Sequence, residues 1–156
     1  MKTDTLLKNF LAVRVYAHSI VEALSEEQLL AIPDGASNNI IWNLGHTIVD
    51  GSSMIHMPAG LPMPWPEHFA PLFDAGTSPR DWASTPDVAE VVAASRKWGS
   101  DIVKDYEEGR FENFNASKVH SGWPVHSVEE TIAYQTIHEG IHIGAMLTLG
   151  KLITAQ

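Results

Sequence analysis

Residues Ser127–Leu152, SVEETIAYQTIHEGIHIGAMLTLGKL, decide the fold of this chain. The stretch opens with a capping box at Ser127–Glu130 and predicts a helix of roughly 39 Å at 1.5 Å per residue. Inside it, residues 138–142 (HEGIH) fit the HExxH pattern. Residues i and i+4 project from the same face of a helix, so His138 and His142 can coordinate one metal ion.

The missing ligands must come from upstream of this helix. Only fourteen residues follow His142, and Ile143–Gln156 contain no His, Asp, Glu or Cys. A catalytic metal site needs at least one further ligand and a structural site needs two. Zinc peptidases with this motif take their third ligand from downstream, so the sequence favours a metal site built between helices.

Composition predicts one soluble domain spanning residues 1–156. The chain has 44% hydrophobic and 19% charged residues, a net charge of −9 and no cysteine. Its ten basic residues are scattered, which argues against nucleic-acid binding. The absence of cysteine excludes thiolate ligands and fits a reducing compartment. We find no signal-like segment and no run of roughly 20 apolar residues that could span a bilayer, and therefore expect a cytoplasmic protein without a membrane partner.

Three further helices are predicted upstream from apolar residues at 3,4 spacing and from capping residues. The first covers Thr5–Leu24, and the second runs from Ser37 or Asn38 to about Met57. The third has Thr85 as its cap and runs from Pro86 to about Glu108. A short helical turn is predicted at 25–31. The proline-rich segment 59–84 cannot form a long helix. The expected fold is all-α: an up-down-down-up four-helix bundle with a long crossover loop, 59–84, between helices 2 and 3.

The second helix carries His46 directly after Gly45. Glycine inside a helix costs about 1 kcal/mol relative to alanine, so Gly45 either fits a helix crossing or lets another group approach closely. The face of His46, beside Trp42 and Val49, is not the most apolar one. The periodicity alone therefore does not predict that His46 faces the fourth helix. His46 is either a metal ligand or an imidazole packed in the core.

Two motifs carry a resemblance to a known family. They are Trp42-x-Leu44-Gly45-His46 on the second helix and His138-Glu139-x-x-His142-x-Gly144 on the fourth. Together with the helix order, they resemble the DinB/YfiT-like superfamily of metal-binding four-helix bundles. The resemblance implies that His46, His138 and His142 bind a divalent ion, most commonly nickel or zinc. Where many members continue with Arg-Gly-Gln, this chain has Ile143-Gly144-Ala145.

The same resemblance implies a homodimer and a metal-dependent enzyme that acts on a small molecule. Some relatives transfer or isomerise with low-molecular-weight thiols such as bacillithiol, mycothiol or glutathione. Three protein nitrogens leave an open coordination position, where a bound thiol would lose its proton. We therefore expect a small-molecule substrate, with a thiol-dependent transferase as the most concrete activity.

Glu139 is the candidate catalytic base, as in HExxH enzymes. Alternatively, it pairs with a neighbouring helix or orients a ligand histidine. Asn43, Asp50 and Gln135 each lie about one helical turn from a candidate ligand, and each could orient its imidazole or have no such role.

Two other functions stay open. A metal-dependent hydrolase would use a bound water with Glu139 as base, without any thiol. A non-catalytic, stress-related protein would have a closed site with a fourth ligand such as Asp50. The remaining histidines have no partner at ligand spacing and are expected to be structural or superficial: His18, His56, His68, His120 and His126.

Overall fold

The computed structural model describes residues 2–119 and 124–155. Within these ranges it contains six α-helices and no β-strand, which confirms the all-α prediction. The four long helices are α1 (Thr3–Glu22), α3 (Ile40–Ala59), α5 (Val88–Glu107) and α6 (Val128–Thr154), and the two short ones are α2 (Glu26–Leu30) and α4 (Ala70–Phe73). His120 lies outside the described residues.

The long helices pack in a closed order in which α6 contacts α1 and α3, and α5 contacts the same two helices. The apolar faces of α1 and α5, which the 3,4 spacing predicts, meet in the core. Phe10 and Trp98 are fully buried there, with ring centroids 5.6 Å apart in an edge-to-face arrangement. The α5 seam is buried throughout, at Val88, Val91, Ser95, Trp98 and Ile102.

Helix α3 is buried on nearly every side because α5, α6 and the segment that follows α3 all pack against it. Its cap is Asn39, whose side chain accepts a hydrogen bond from the Trp42 amide at 2.8 Å, so the cap lies one or two residues after the predicted Ser37 or Asn38. It continues through Pro58 and ends at Gly60, which adopts the left-handed conformation with φ 71°.

The predicted start of α5 at Thr85 and Pro86 is wrong. Asp87 caps this helix, because its carboxylate accepts hydrogen bonds from the amides of Ala89 and Glu90 at 2.8 and 3.2 Å. The segment between α3 and α5 contains α4 and two 3-10 turns, at 67–69 and 79–81. Its aromatic residues join the core, and Phe69 and Phe73 are fully buried.

The face of α6 that carries His138 and His142 is only partly buried. Ile141 and Leu152, which share the face of His138 and His142, are exposed. The buried face instead carries Ile132, Gln135, Glu139 and Met146. Apolar residues occur all round this helix, so periodicity could not select the core-facing side. The two histidines therefore lie at the boundary between core and surface.

Among the described residues, no helix combines the length and the apolar character that crossing a bilayer requires.

His56, one of two buried histidines on α3, gives the fold a pH dependence. His56 is 2% exposed, and burial lowers its pKa from 6.5 to about 4, against the opposing effect of the Asp105 carboxylate. The folded protein thus binds this proton more weakly than the unfolded chain. The contribution of neutral His56 to stability is complete above pH 6.5 and is lost as the pH falls toward 4.

We predict that acidification from about pH 7.5 to about pH 5 costs the wild type about 2 kcal/mol more unfolding free energy than it costs His56→Gln. Urea unfolding of both proteins in the presence of a chelator measures this difference without interference from metal. Equal losses in the two proteins would show that His56 does not cause the acid sensitivity.

Candidate metal centre

Three histidines from two helices meet at one point. His46 lies on α3, and His138 and His142 lie on α6. One ring nitrogen from each lies within 4.8 Å of the others, and the ring centroids are 4.6 to 5.4 Å apart. The structure therefore brings together the three residues that the family resemblance selected, including His46, which periodicity alone did not orient.

Each imidazole has an oxygen acceptor beside its Nδ1 atom. The three pairs are His46 Nδ1 with the Phe73 carbonyl (2.8 Å), His142 Nδ1 with Asn43 Oδ1 (2.8 Å) and His138 Nδ1 with Gln135 Oε1 (3.3 Å). An oxygen acceptor assigns the proton to Nδ1 and leaves the lone pair on Nε2. This is the tautomer in which a histidine binds a metal through Nε2.

The distance between the two α6 histidines tests whether the site fits an ion. Nε2 of His138 and Nε2 of His142 are 3.1 Å apart. Two bare lone pairs at this distance repel each other unless a cation lies between them. Metal–nitrogen bonds of about 2.0–2.1 Å place neighbouring ligand nitrogens about 2.9–3.4 Å apart in octahedral or tetrahedral geometry. His138 and His142 therefore fit a divalent ion, and His46 offers a third nitrogen within 4.8 Å of theirs.

The environment of the two α6 histidines favours their neutral form, which is the form that a ligand must have. Burial, reinforced by His46 and His138, lowers the pKa of His142 to about 3. Burial also lowers the pKa of His138, an effect that Asp50 opposes and His46 reinforces. Neutral imidazole is the form that coordinates a metal.

Aromatic and glycine residues fix the position of His46. The Trp42 ring stacks on the His46 ring at 4.8 Å with the planes 7° apart, and its indole N–H donates to Thr77 at 2.9 Å. At Gly45, an added Cβ would lie 2.5 Å from the Phe73 ring. The close approach anticipated at Gly45 is therefore made by Phe73, the residue whose carbonyl holds His46.

Glu139 faces the core and pairs with Arg14 of α1. Its carboxylate accepts a hydrogen bond from the Arg14 guanidinium, and both side chains are buried. Arg14 also donates to the carbonyl and hydroxyl oxygens of Ser95 at 2.8 and 2.6 Å. Burial raises the pKa of Glu139, and Arg14 opposes the rise. Pairing with a neighbouring helix is thus what the structure shows, and the general-base role of Glu139 stays a prediction.

Gln135 connects this ion pair to the histidines. Its amide group donates to the Thr47 carbonyl at 3.1 Å and hydrogen-bonds to Glu139, while its oxygen faces His138 Nδ1. Asp50 lies beside the same nitrogen, with Oδ2 3.6 Å away. Asn43 and Gln135 are therefore orienting residues, and Asp50 faces the Nδ1 edge of the ring rather than Nε2.

Sequence reasoning missed three contributors to the site. The Phe73 carbonyl is a backbone group, so no residue type could have indicated it. Thr77 gave no signal either. Arg14 did give one, because it is a charged residue four positions after Phe10 and three before Ala17, within the apolar seam of α1. A charge at core spacing implies a buried partner.

A cavity of about 610 Å³ is lined by residues of the segment between α3 and α5, among them Leu72, Thr77 and Trp82, and not by the three histidines of the cluster. Thr77 relates this cavity to the triad through its hydrogen bond with Trp42. Of the remaining histidines in the described part of the chain, none joins the cluster.

The family of the protein follows from comparison with known sequences. Residues 9–146 match the family model of the DinB superfamily. This chain belongs to the DinB superfamily, which confirms the resemblance seen in the two histidine motifs. No curated protein gives a significant match to the chain.

We predict that Gly45→Ala lowers stability by about 1–3 kcal/mol and weakens metal binding, because the new Cβ displaces Phe73 from His46. Thermal unfolding and a competitive chelator titration measure the two effects. Gly150→Ala is the matched control, since its added Cβ meets its nearest neighbour, Leu24, at an ordinary 3.8 Å. Equal behaviour of the two variants would contradict the role assigned to Gly45.

We expect Asn43→Ala to weaken zinc binding by about 10- to 100-fold, because His142 loses the acceptor at Nδ1. Asn43→Asp keeps an acceptor oxygen and should restore most of the affinity, although it loses the amide hydrogen bond to the Asn39 carbonyl. Zinc affinity of the three proteins is measured by competition with a chromophoric chelator. Equal affinities for the alanine and aspartate variants would show that Asn43 does not act through His142.

Proposed function

We propose that this protein is a divalent-metal-dependent enzyme that acts on a small molecule, with zinc or nickel bound by His46, His138 and His142. The observation that carries the proposal is the common orientation of the three rings. Each Nδ1 faces an oxygen, which leaves the Nε2 lone pair of each ring available to a metal, and one nitrogen of each ring lies within 4.8 Å of the others. A packed core histidine needs hydrogen-bond partners for both of its nitrogens, whereas here the inward nitrogens face one another.

A bound ion would supply Lewis acidity to a ligand in an open coordination position. In the part of the chain that the structure describes, the metal-ligating cluster consists of three histidines without a carboxylate. Three protein ligands are the arrangement of catalytic sites, whereas structural sites use four. The His138 side chain is 15% exposed, so the cluster lies at the edge of the core and is not sealed inside it.

Among metal-dependent activities we favour transfer that involves a low-molecular-weight thiol. The family resemblance supports this class, and Glu139 supports it indirectly. A hydrolase of the HExxH type needs a carboxylate free to accept a proton from water, but the Glu139 carboxylate is held by Arg14. A non-catalytic closed site would need a fourth ligand, and Asp50 faces Nδ1 of His138 instead.

The helix topology, the number of domains and the cellular location are also proposals. We infer that the four long helices form an up-down-down-up bundle, with residues 60–87 as the crossover between its second and third long helices. We also infer that the chain is one domain and acts in the cytoplasm, on a small molecule rather than on nucleic acid.

We predict near-stoichiometric zinc or nickel in tag-free wild-type protein and its loss in His46→Ala, His138→Ala and His142→Ala. Elemental analysis after gel filtration measures the content. His68→Ala is the matched control, because His68 is an exposed histidine outside the cluster and should leave the metal content unchanged. Well-folded wild type that stays metal-free after reconstitution would refute the proposal.

The activity class is then tested with loaded protein, thiols and small electrophiles. Thiol consumption that requires metal, and that His142→Ala abolishes, would support the transferase. Ester or amide hydrolysis without thiol, lost in Glu139→Gln, would support the hydrolase instead.

A further inference from the structure

One hydroxyl group, that of Thr77, holds the carbonyls on both sides of the one that contacts His46. The carbonyls of Leu72, Phe73 and Asp74 are consecutive in the segment that follows α3. The middle one, of Phe73, lies 2.8 Å from Nδ1 of His46. The outer two accept from Thr77 Oγ1 at 3.0 and 2.8 Å. Because planar peptide groups leave the backbone only two rotations per residue, the Thr77 hydroxyl restrains the orientation of the Phe73 carbonyl.

The same hydroxyl also fixes the aromatic neighbour of His46. The indole N–H of Trp42 donates to Thr77 Oγ1 at 2.9 Å, and the Trp42 ring stacks on the His46 ring at 4.8 Å. A hydroxyl group can donate one hydrogen bond and accept two, so Thr77 can bond to Trp42 and to the carbonyls at the same time. Thr77 thus supports both the acceptor and the stacking partner of His46 without being one of the candidate ligands.

Other contacts already close the turn at residues 72–77. The Thr77 amide donates to the Asp74 carbonyl at 3.1 Å, and the Trp82 indole donates to the Leu72 carbonyl at 3.0 Å. Phe73, between them, is fully buried. The turn is therefore held by its backbone and by aromatic packing as well. What the Thr77 hydroxyl adds is a connection from this turn to Trp42.

We propose that Thr77 is a positioning residue of the metal centre, which acts on His46 through the Phe73 carbonyl and the Trp42 ring. Without the Thr77 hydroxyl, the indole N–H of Trp42 loses its acceptor, although Trp42 is only 8% exposed. An unsatisfied buried donor is costly, so the indole turns toward another acceptor and leaves the His46 ring. The imidazole then loses its stacked neighbour together with the restraint on its acceptor.

The test compares two substitutions of Thr77. Thr77→Val keeps the shape of the side chain without its hydroxyl, and we expect it to weaken zinc binding about tenfold. Thr77→Ser keeps the hydroxyl and should bind zinc as the wild type does. Thr131→Val is the matched control, because Thr131 is fully buried and its hydroxyl donates only to the Ser127 carbonyl, at 2.9 Å, one turn before it. Competition with a chromophoric chelator measures the affinities.

Two spectroscopic measurements separate positioning from a general loss of stability. The visible absorption of cobalt-loaded protein reports the coordination geometry, which we expect to change in Thr77→Val and to stay the same in Thr131→Val. In metal-free protein, the nitrogen NMR signals of the His46 imidazole show which ring nitrogen carries the proton. We expect Nδ1 alone in the wild type and in Thr77→Ser, and a mixture of both tautomers in Thr77→Val.

The zinc and cobalt measurements rest on the proposed metal binding, whereas the NMR measurement does not. A wild type that binds no metal would refute the proposed function, and the tautomer of His46 would still decide the role of Thr77. The same tautomer and the same zinc affinity in wild type and Thr77→Val would overturn the proposal. A Thr77→Ser variant that is as impaired as Thr77→Val would overturn it too.

Discussion

Three imidazole rings share a space in which one nitrogen of each lies within 4.8 Å of the others, and this proximity constrains everything around them. Burial and the repulsion between protonated rings at this distance together lower the pKa of His142 to about 3. The rings can therefore coexist as neutral groups if each is turned the same way. A separate oxygen acceptor at each Nδ1 provides that orientation, and the inward lone pairs then define a cation site.

The fold supplies these acceptors from three directions. Helix α3 contributes Asn43, the segment after α3 contributes the Phe73 carbonyl, and α6 contributes Gln135. Two glycines of α3 make room for them, since a Cβ at Gly51 would lie 2.5 Å from Trp98 and 2.7 Å from the Gln135 amide. The buried pair of Arg14 and Glu139 then holds Gln135 from α1. The site thus depends on helix packing well beyond its three candidate ligands.

Much of this arrangement was predictable from the sequence, and there are physical reasons why the rest was not. Apolar spacing and capping residues located the long helices, and two motifs identified the three histidines. The start of α5 was predicted wrongly because Asp87, and not Thr85, is the cap and accepts two backbone hydrogen bonds. The buried face of α6 could not be predicted because this helix has apolar residues on every face. The role of Glu139 depended on Arg14, a long-range partner that no local pattern specifies.

We infer that the three Nε2 atoms form one coordination sphere, which X-ray absorption at the metal edge of zinc- or nickel-loaded protein can test. We expect three imidazole nitrogens at about 2.0–2.1 Å from the ion, and two in each single-histidine variant that still retains metal. A first shell without imidazole scattering, or one unchanged in His46→Ala, would show that the metal binds elsewhere and that the histidines are polar residues of the core.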